Sequence, residues 1–467
     1  MKRTTQNILT VLLAAITVIE LSSCANMLPP GGGPRDSLPP RLVLAVPKDS
    51  GLNVNTHQVN LMFDEYVTLD NAVSNLIISP TLKNTPNITS KLRNVTINFP
   101  KDTLLPNTTY TFDFGDAIKD VNEGNIARGL RYVFSTGNRI DKNTYGGRVV
   151  LAETGKIDSN MIIMLHRNLN DSAVAKERPE YYTRVNGRGE FMFHNLPEGV
   201  FAVYALAKGV YNNVYTDTSK LFAFLDGPKT IGANTKPDTL YAYQAIKRDA
   251  SPVAGSSPVK LPNADKRLRY SPEFDNGLQD ILTDLNLNFA KKITLSDTNK
   301  IVLYDTSYKK LEGYRVTVDT GKTKLVVHYP WRQNTPYRLI IAKDAVSDTL
   351  GNTLAKADTI RFTTRKEADY GSVKIRFTNL NLQKNPVLQI MQGDKLIEAV
   401  PLTGNEITRK FYKPGTYDLR ILYDTNGNGI WDAGHFFRNK RQPELVQLIP
   451  RQLVVRGNWD NEITVAL

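Results

Sequence analysis

From Tyr417 to Tyr423 the chain alternates, with Tyr417, Leu419, Ile421 and Tyr423 on one side and Asp418, Arg420 and Leu422 on the other. A period of two marks a half-buried strand, because successive side chains leave a strand on opposite faces. Glu190-Phe191-Met192-Phe193, Thr359-Ile360-Arg361-Phe362 and Lys324-Leu325-Val326-Val327-His328-Tyr329 read alike, with Gly, Asn, Asp and Pro between such runs. That punctuation predicts short strands joined by turns, and so an all-β chain of tandem β-sandwiches. Helix-period stretches are scarce; Ser271 to Leu285 is the best candidate for a helical turn or two.

An internal repeat organises the strands. The segment from Asn107 to Gly137 matches the segment beginning at Asn334. Asn107 and Tyr110 correspond to Asn334 and Tyr337, Asp116 and Asp120 to Asp344 and Asp348, and Gly124-Asn125 to Gly351-Asn352. Phe134-Ser135-Thr136 corresponds to Phe362-Thr363-Thr364. Flanking strands supply the apolar residues, and Asp-rich and Gly-Asn turns cross between them, which predicts duplicated modules.

Phe63-Asp64-Glu65-Tyr66-Val67, Ile78-Ser79-Pro80, Leu105 to Tyr110, Phe114 to Ile118 and Phe134 to Gly137 stand in this order after a Pro/Gly-rich stretch. The run resembles the bacterial Ig-like domain of S-layer and other surface proteins, in the form common in Bacteroidota lipoproteins. In the second copy the phrase corresponding to Phe63–Val67 reads Asn288-Phe289-Ala290-Lys291-Lys292, so any function of the acidic pair is expected to be lost there. Each Ig-like unit is followed by a different one. Tyr145-Gly146-Gly147, Gly187, Gly189, Phe191, Phe193 and Leu196-Pro197-Glu198-Gly199 resemble the carboxypeptidase regulatory-like and collagen-adhesin B-type sandwiches. A second version runs from Tyr370-Gly371-Ser372-Val373 through Lys413-Pro414-Gly415-Thr416-Tyr417.

The N-terminus adds an address. Lys2 and Arg3 precede an apolar run, Ile8 to Ile19, that is too short for a membrane span but suits a signal peptide. It ends in Leu21-Ser22-Ser23-Cys24, which resembles the bacterial lipobox and implies diacylglycerol on Cys24. This is the only cysteine, so disulfides, CxxC redox pairs and Cys-based zinc sites are excluded. Several acyl chains make the anchor durable, at about 0.8 kcal/mol per buried methylene. By resemblance to lipoproteins, Ala25 and Asn26 after the cysteine imply the outer membrane. Surface export in Bacteroidota-type lipoproteins resembles a rule requiring an acidic cluster just after the cysteine. The first acidic residue after Cys24 is Asp36, so that resemblance implies a periplasm-facing orientation. Pro29 to Pro40 reads as a partly stiff spacer and Ser251 to Lys266 as a linker. The expected layout is a signal peptide at 1–23, a lipidated tether at 24–41, an Ig-like domain at 42–140 and a regulatory-like sandwich at 144–245. A linker at 246–268, a degenerate Ig-like domain at 269–366 and a second regulatory-like sandwich at 369–467 follow.

The net charge is +13, and +12 once Lys2, Arg3 and Glu20 leave with the signal peptide. Lys and Arg are scattered rather than interleaved with aromatics, which points to a solvated surface and away from nucleic acid. The sharpest chemical motif is Asp424-Thr425-Asn426-Gly427-Asn428-Gly429-Ile430-Trp431-Asp432. Side-chain oxygens at positions one, three, five and nine, Gly at six and the Ile430 carbonyl at seven match most of an EF-hand-type calcium loop. The twelfth position is His435 rather than Glu, leaving Glu444 as a candidate for the missing oxygen and implying weak affinity. The same residues also suit a polar hairpin turn that binds nothing.

Catalytic frames are not legible. His57, His166, His194, His328 and His435 are far apart in sequence, and Asp64 and Glu65, adjacent on a strand, point to opposite faces. The expected function is therefore a non-catalytic envelope module that binds or scaffolds a protein complex. A glycan or peptidoglycan binder is the alternative, with Trp331, Trp431 and Trp459 as the available tryptophans, and a hydrolase with divided catalytic residues comes third.

Overall fold

The computed structural model describes residues 35–100, 104–245, 267–437 and 439–467. The signal peptide, Cys24, most of the spacer and the Ser251–Lys266 linker lie outside these residues. Strands dominate, and no helix among the described residues is long and apolar enough to cross a membrane.

Four apolar cores follow one another along the chain. In the first, strands Leu42–Val46, Gln58–Phe63, Asn94–Asn98 and Asn87–Lys91 form one sheet in that order, and Ile77–Ser79, Thr109–Asp113 and Arg131–Ser135 form the other. Alternation decides the facing: Val59, Leu61, Phe63, Val95 and Ile97 meet Phe112, Tyr132 and Phe134 between the sheets. The third core repeats the plan. Tyr270–Pro272, Leu285–Phe289, Lys324–His328 and Arg315–Val318 pack on Leu278–Gln279, Asp358–Thr364, Pro336–Ile341 and Ile301–Tyr304.

The repeated residues hold the same corner in both copies. The Tyr110 hydroxyl accepts the Leu105 N–H at 2.9 Å, as Tyr337 accepts that of Arg332 at 3.2 Å. Thr136 Oγ1 accepts the Thr108 N–H and donates to the Leu105 carbonyl; Thr364 does the same with Thr335 and Arg332. Asn107 and Asn334 take φ of 50° and 48°, a left-handed turn that Asn tolerates well.

The second and fourth cores share a different plan. Glu190–Leu196, Asn143–Leu151 and Asp238–Ala242 form one sheet, with its first and last strands in sequence paired in parallel. Tyr181–Arg184, Met161–His166, Gly199–Ala207 and Phe222–Phe224 cover it. In the fourth, Glu406–Tyr412, Gly371–Thr378 and Asp460–Ala466 face Lys395–Pro401, Pro386–Gln392, Gly415–Tyr423 and Leu445–Val455.

The expected helical turns in Ser271–Leu285 are absent. The segment holds strand Tyr270–Pro272, strand Leu278–Gln279 and the start of Leu285–Phe289. Between the first two, Asp275 and Leu278 exchange both backbone hydrogen bonds around Asn276 (φ 51°) and Gly277 (φ 79°). Asn-Gly is the dipeptide that a tight hairpin turn demands, and Pro272 and Gly277 both oppose a helix.

The first sandwich meets the second, and the third meets the fourth, through polar contacts. Arg184 donates to the carbonyls of Ser74 and Asn75, and Arg178 to those of Leu82 and Lys83, joining the second sandwich to the first. Between third and fourth, buried Asp280 accepts the Tyr370 hydroxyl at 2.5 Å and pairs with Lys413 at 2.7 Å. Burial raises the Asp280 pKa, but Lys413 and Tyr370 outweigh it and leave the carboxyl below its ordinary value.

Candidate functional site: the Asp424–Glu444 loop and its seat on the second sandwich

Strand Gly415–Tyr423 ends at Asp424, which is buried. Its Oδ1 accepts the Gly427 N–H at 2.7 Å and its Oδ2 that of Gly429 at 2.6 Å. Gly427 and Gly429, at φ 74° and 81°, let the backbone curl so that these N–H groups point inward. Asn426 Oδ1 accepts from Asn428 N–H and Asn428 Oδ1 from Ile430 N–H. The amide nitrogens of Asn426 and Asn428 donate to Asp432 Oδ2 at 2.5 and 2.7 Å. Glu444 does reach the loop, as its sequence position allows: Oε1 accepts the Thr425 N–H and hydroxyl, and Oε2 the Asp432 N–H. His435 is exposed and pairs through its backbone with Arg441. Each carboxylate thus has protein donors, and among the described residues no three His, Asp, Glu or Cys side chains converge as metal ligands.

The chain beyond Asp432 leaves its own domain. Trp431 is pinned by Nε1 to the Glu444 carbonyl at 2.8 Å, and Phe436 enters a cluster made by Ile162, Met164, Tyr204, Tyr215, Phe222, Phe224 and Tyr243 of the second sandwich. The Phe436 ring centre lies 5.0 Å from Phe224 and 5.2 Å from Phe222, and Phe437 lies 5.8 Å from Tyr215. Gly434 is required for the approach, since a Cβ there would stand 2.6 Å from the Tyr243 ring. Polar contacts frame the seat: Gln442 Nε2 donates to the Phe224 carbonyl and to Asp226, Lys440 pairs with Asp171, and the Val446 N–H donates to the Ala152 carbonyl. This clasp explains why Met161–His166 reads as an unbroken apolar run. One face of that strand lines its own core, and the other is covered by Val174 and Tyr215 of the same sandwich together with Phe436 of the fourth.

The acidic phrase of the first Ig-like unit has a structural answer in the second. Strand register sets Val67 opposite Asp120 and Ile293 opposite Asp348, so Phe63 matches Phe289 and Glu65 matches Lys291, one residue beyond the match read from sequence. Burial, then Asp120 and Asp64, raise the Glu65 pKa. In the third sandwich Lys291 pairs with Asp348 at 3.2 Å. Hydrogen bonds from Asn352, with a contribution from Lys291, lower Asp348 to a pKa of about 2.

The structure also assembles a constellation that sequence spacing concealed. Thr317 Oγ1 lies 2.8 Å from His328 Nε2, and His328 Nδ1 lies 2.7 Å from Asp284. Hydroxyl, imidazole and carboxylate stand in nucleophile, base and orienting order, but on a sheet face where the His328 and Asp284 side chains are 31% and 42% exposed. His166 is the opposite case: it is buried against Tyr204, its Nε2 has no partner, and burial lowers its pKa to about 4.

No curated protein matches the chain. Among solved structures it is similar to native alpha-2-macroglobulin from Escherichia coli, at 14% identity over 40% of this chain and 72% of that one, with a TM-score of 0.20. It is similar to the major pilin subunit BcpA of Bacillus cereus, at 9% identity over 69% and 99% and a TM-score of 0.17. The N-terminal part of the bacterial S-layer protein SbsC aligns at 16% identity over 38% and 42%, with a TM-score of 0.16. None of these superpositions bears on the fold, which rests on the sheets themselves and on a family match. Residues 36–136 and 251–364 each match the bacterial Ig-like domain family, and the two matched segments stand within an all-β tandem of sandwiches.

Proposed function

We propose that the chain is a non-catalytic scaffold of the cell envelope, lipid-anchored at Cys24 to the outer membrane and facing the periplasm, whose sandwiches hold a protein partner. The clasp carries this reading. An aromatic lock between non-consecutive sandwiches suits a fixed arm better than a string of mobile beads. Cys24→Ala is expected to move the protein from the membrane pellet to the soluble fraction and to abolish labelling by an alkyne fatty acid. Unchanged pelleting and label overturn the anchor. Protease added to intact cells should spare the wild type. Co-purification from detergent-solubilised envelope should return a defined membrane protein; retained glycan would favour the glycan- or peptidoglycan-binding reading instead.

We further propose that the loop binds calcium weakly through Asp424, Asn426, Asn428, the Ile430 carbonyl and Asp432. The donor set is hard oxygen on one short loop, as calcium prefers, but Asn426 and Asn428 must turn their amide oxygens toward Asp432 to take part. That reorganisation and the low charge place the dissociation constant on the order of 10⁻⁴–10⁻³ M. Calcium at ten times that constant stabilises the fold by about 1.4 kcal/mol. The fourth sandwich should melt higher in millimolar calcium than in chelator, and Asp424→Ala should erase the difference. A wild-type melt insensitive to calcium leaves only the turn.

A further inference from the structure

An open cleft of about 830 Å³ lies between the first and second sandwiches. Its floor is the outward side of strands Asn143–Leu151 and Glu190–Leu196, whose inward residues Tyr145, Val149, Phe191 and Phe193 fill the core. Glycine keeps that floor open. A Cβ on Gly146, which faces outward, would meet the Met192 methyl at 2.7 Å; Gly147 faces inward, where a Cβ would stand 2.8 Å from the Phe191 ring. Arg131 and Asp113 come from the first sandwich, and Arg148, Arg184, Glu190 and Asp238 from the second.

The charged side chains of the cleft balance in number, Arg131, Arg148 and Arg184 against Asp113, Glu190 and Asp238, but its carboxylates are engaged by other groups. Asp238 holds Lys229 at 2.6 Å and the Tyr145 hydroxyl at 2.9 Å, and Glu190 holds Arg188 at 3.3 Å and the Asn186 amide at 3.0 Å. Asp113 lies in the field of Arg184. Arg131 stands opposite Asp113 and Arg148 opposite Glu190 in strand register, yet neither guanidinium makes an ion pair or side-chain hydrogen bond among the described residues.

The fourth sandwich treats the same position differently. Arg148 stands opposite Glu190, the first residue of its return strand, as Arg376 stands opposite Glu406, the first of its own. Arg376 is closed by Glu406 at 3.0 Å and by Glu462 at 3.2 Å, and Lys374 also binds Glu406. In the second sandwich Glu190 bonds Arg188 and Asn186 instead and feels Arg148 only through its field, so the Arg148 guanidinium keeps its donors for the cleft.

We propose that this cleft binds a small organic anion carrying carboxylate or phosphate groups, gripped by Arg131 from the first sandwich and Arg148 from the second. The volume falls within the range of small-molecule sites, which favour domain junctions. Two open guanidinium forks match the planar oxygens of carboxylate and phosphate. His194 sits half-buried on the same floor, its pKa lowered by burial and then by Arg131. It is therefore neutral at pH 7 and adds a ring N–H without adding charge, and a bound anion raises its pKa.

The test uses the full chain purified in detergent, titrated calorimetrically at low ionic strength with citrate and, separately, with pyrophosphate. Saturable binding of at least one is expected, with citrate preferred if the natural ligand is a carboxylate and pyrophosphate if it is a phosphate. Arg131→Ala/Arg148→Ala should weaken binding about tenfold or more, while Arg376→Ala leaves it unchanged. Both cleft arginines are exposed, so the double variant should melt as the wild type does. Failure of both anions to saturate at millimolar concentration, or equal binding by the double variant, overturns the proposal. Neither result bears on the lipid anchor or the clasp.

Discussion

Phe436→Ala removes the ring that seats the fourth sandwich on the second. That ring is 3% exposed and, apart from Phe437, its aromatic neighbours Tyr204, Phe222 and Phe224 all belong to the second sandwich. Truncating a buried Phe costs about 3–5 kcal/mol in a core that cannot collapse. A seat between domains admits water more readily, so the low end, about 3 kcal/mol, is expected. The loss falls on docking, because Phe436 is absent from the fourth sandwich's own core of Val373, Ile375, Leu388, Ile390, Leu419 and Ile421. In calorimetry of the full chain, the second and fourth sandwiches should unfold together in the wild type and separately in the variant. The isolated segment 369–467 should keep the same denaturant midpoint with or without Phe436. A variant that retains a single wild-type transition would refute the clasp, as would an isolated segment that loses the whole 3 kcal/mol.

Glu65→Lys should stabilise the first sandwich by about 0.5–1 kcal/mol, because it replaces a repelling carboxylate with the Lys291 arrangement; the gain should shrink with added salt, and a loss would break the equivalence. His166 has a lowered folded pKa, so the unfolded chain takes its proton first: its contribution is full above about pH 6.5 and is lost as pH falls toward 4, about 3 kcal/mol in all. His166→Phe should flatten that stretch of the stability profile, and an unchanged slope contradicts the assignment. Wild type and Thr317→Ala should hydrolyse p-nitrophenyl acetate at the same background rate, since the triad-like group stands on an open sheet face. A rate that falls with Thr317 would revive the hydrolase reading.

Local periodicity exposed most of the fold, because alternation and turn residues act over a few positions. Tyr110 with Thr136 and Tyr337 with Thr364 were legible as a repeat because each builds one corner from a short spacing. Asn276-Gly277 carried a hairpin signal that the apolar spacing of Ser271–Leu285 obscured. The loop's turn chemistry was readable from Asp424, Gly427 and Gly429, as was the approach of Glu444. The clasp was not, since Phe436 meets Phe222 and Phe224 across more than two hundred residues of chain and no local pattern encodes that contact. One trace existed: Met161–His166 lacks a polar face, as a strand covered on both sides must. Arg131 with Arg148, and Thr317 with His328 and Asp284, are brought together only by sheet register and domain packing.

The most direct test of a fixed arm is the spacing of the second and fourth sandwiches in solution. Lys156 and Asp394 face each other at 3.4 Å across the two domains and are both exposed, and Cys24 is the only native cysteine. In a Cys24→Ala background, Lys156→Cys/Asp394→Cys labelled with spin probes should give one narrow short-distance distribution from the dipolar broadening of frozen-solution continuous-wave spectra, and Phe436→Ala should broaden that distribution. A broad or long distribution in the variant that retains Phe436 would contradict the closed scaffold.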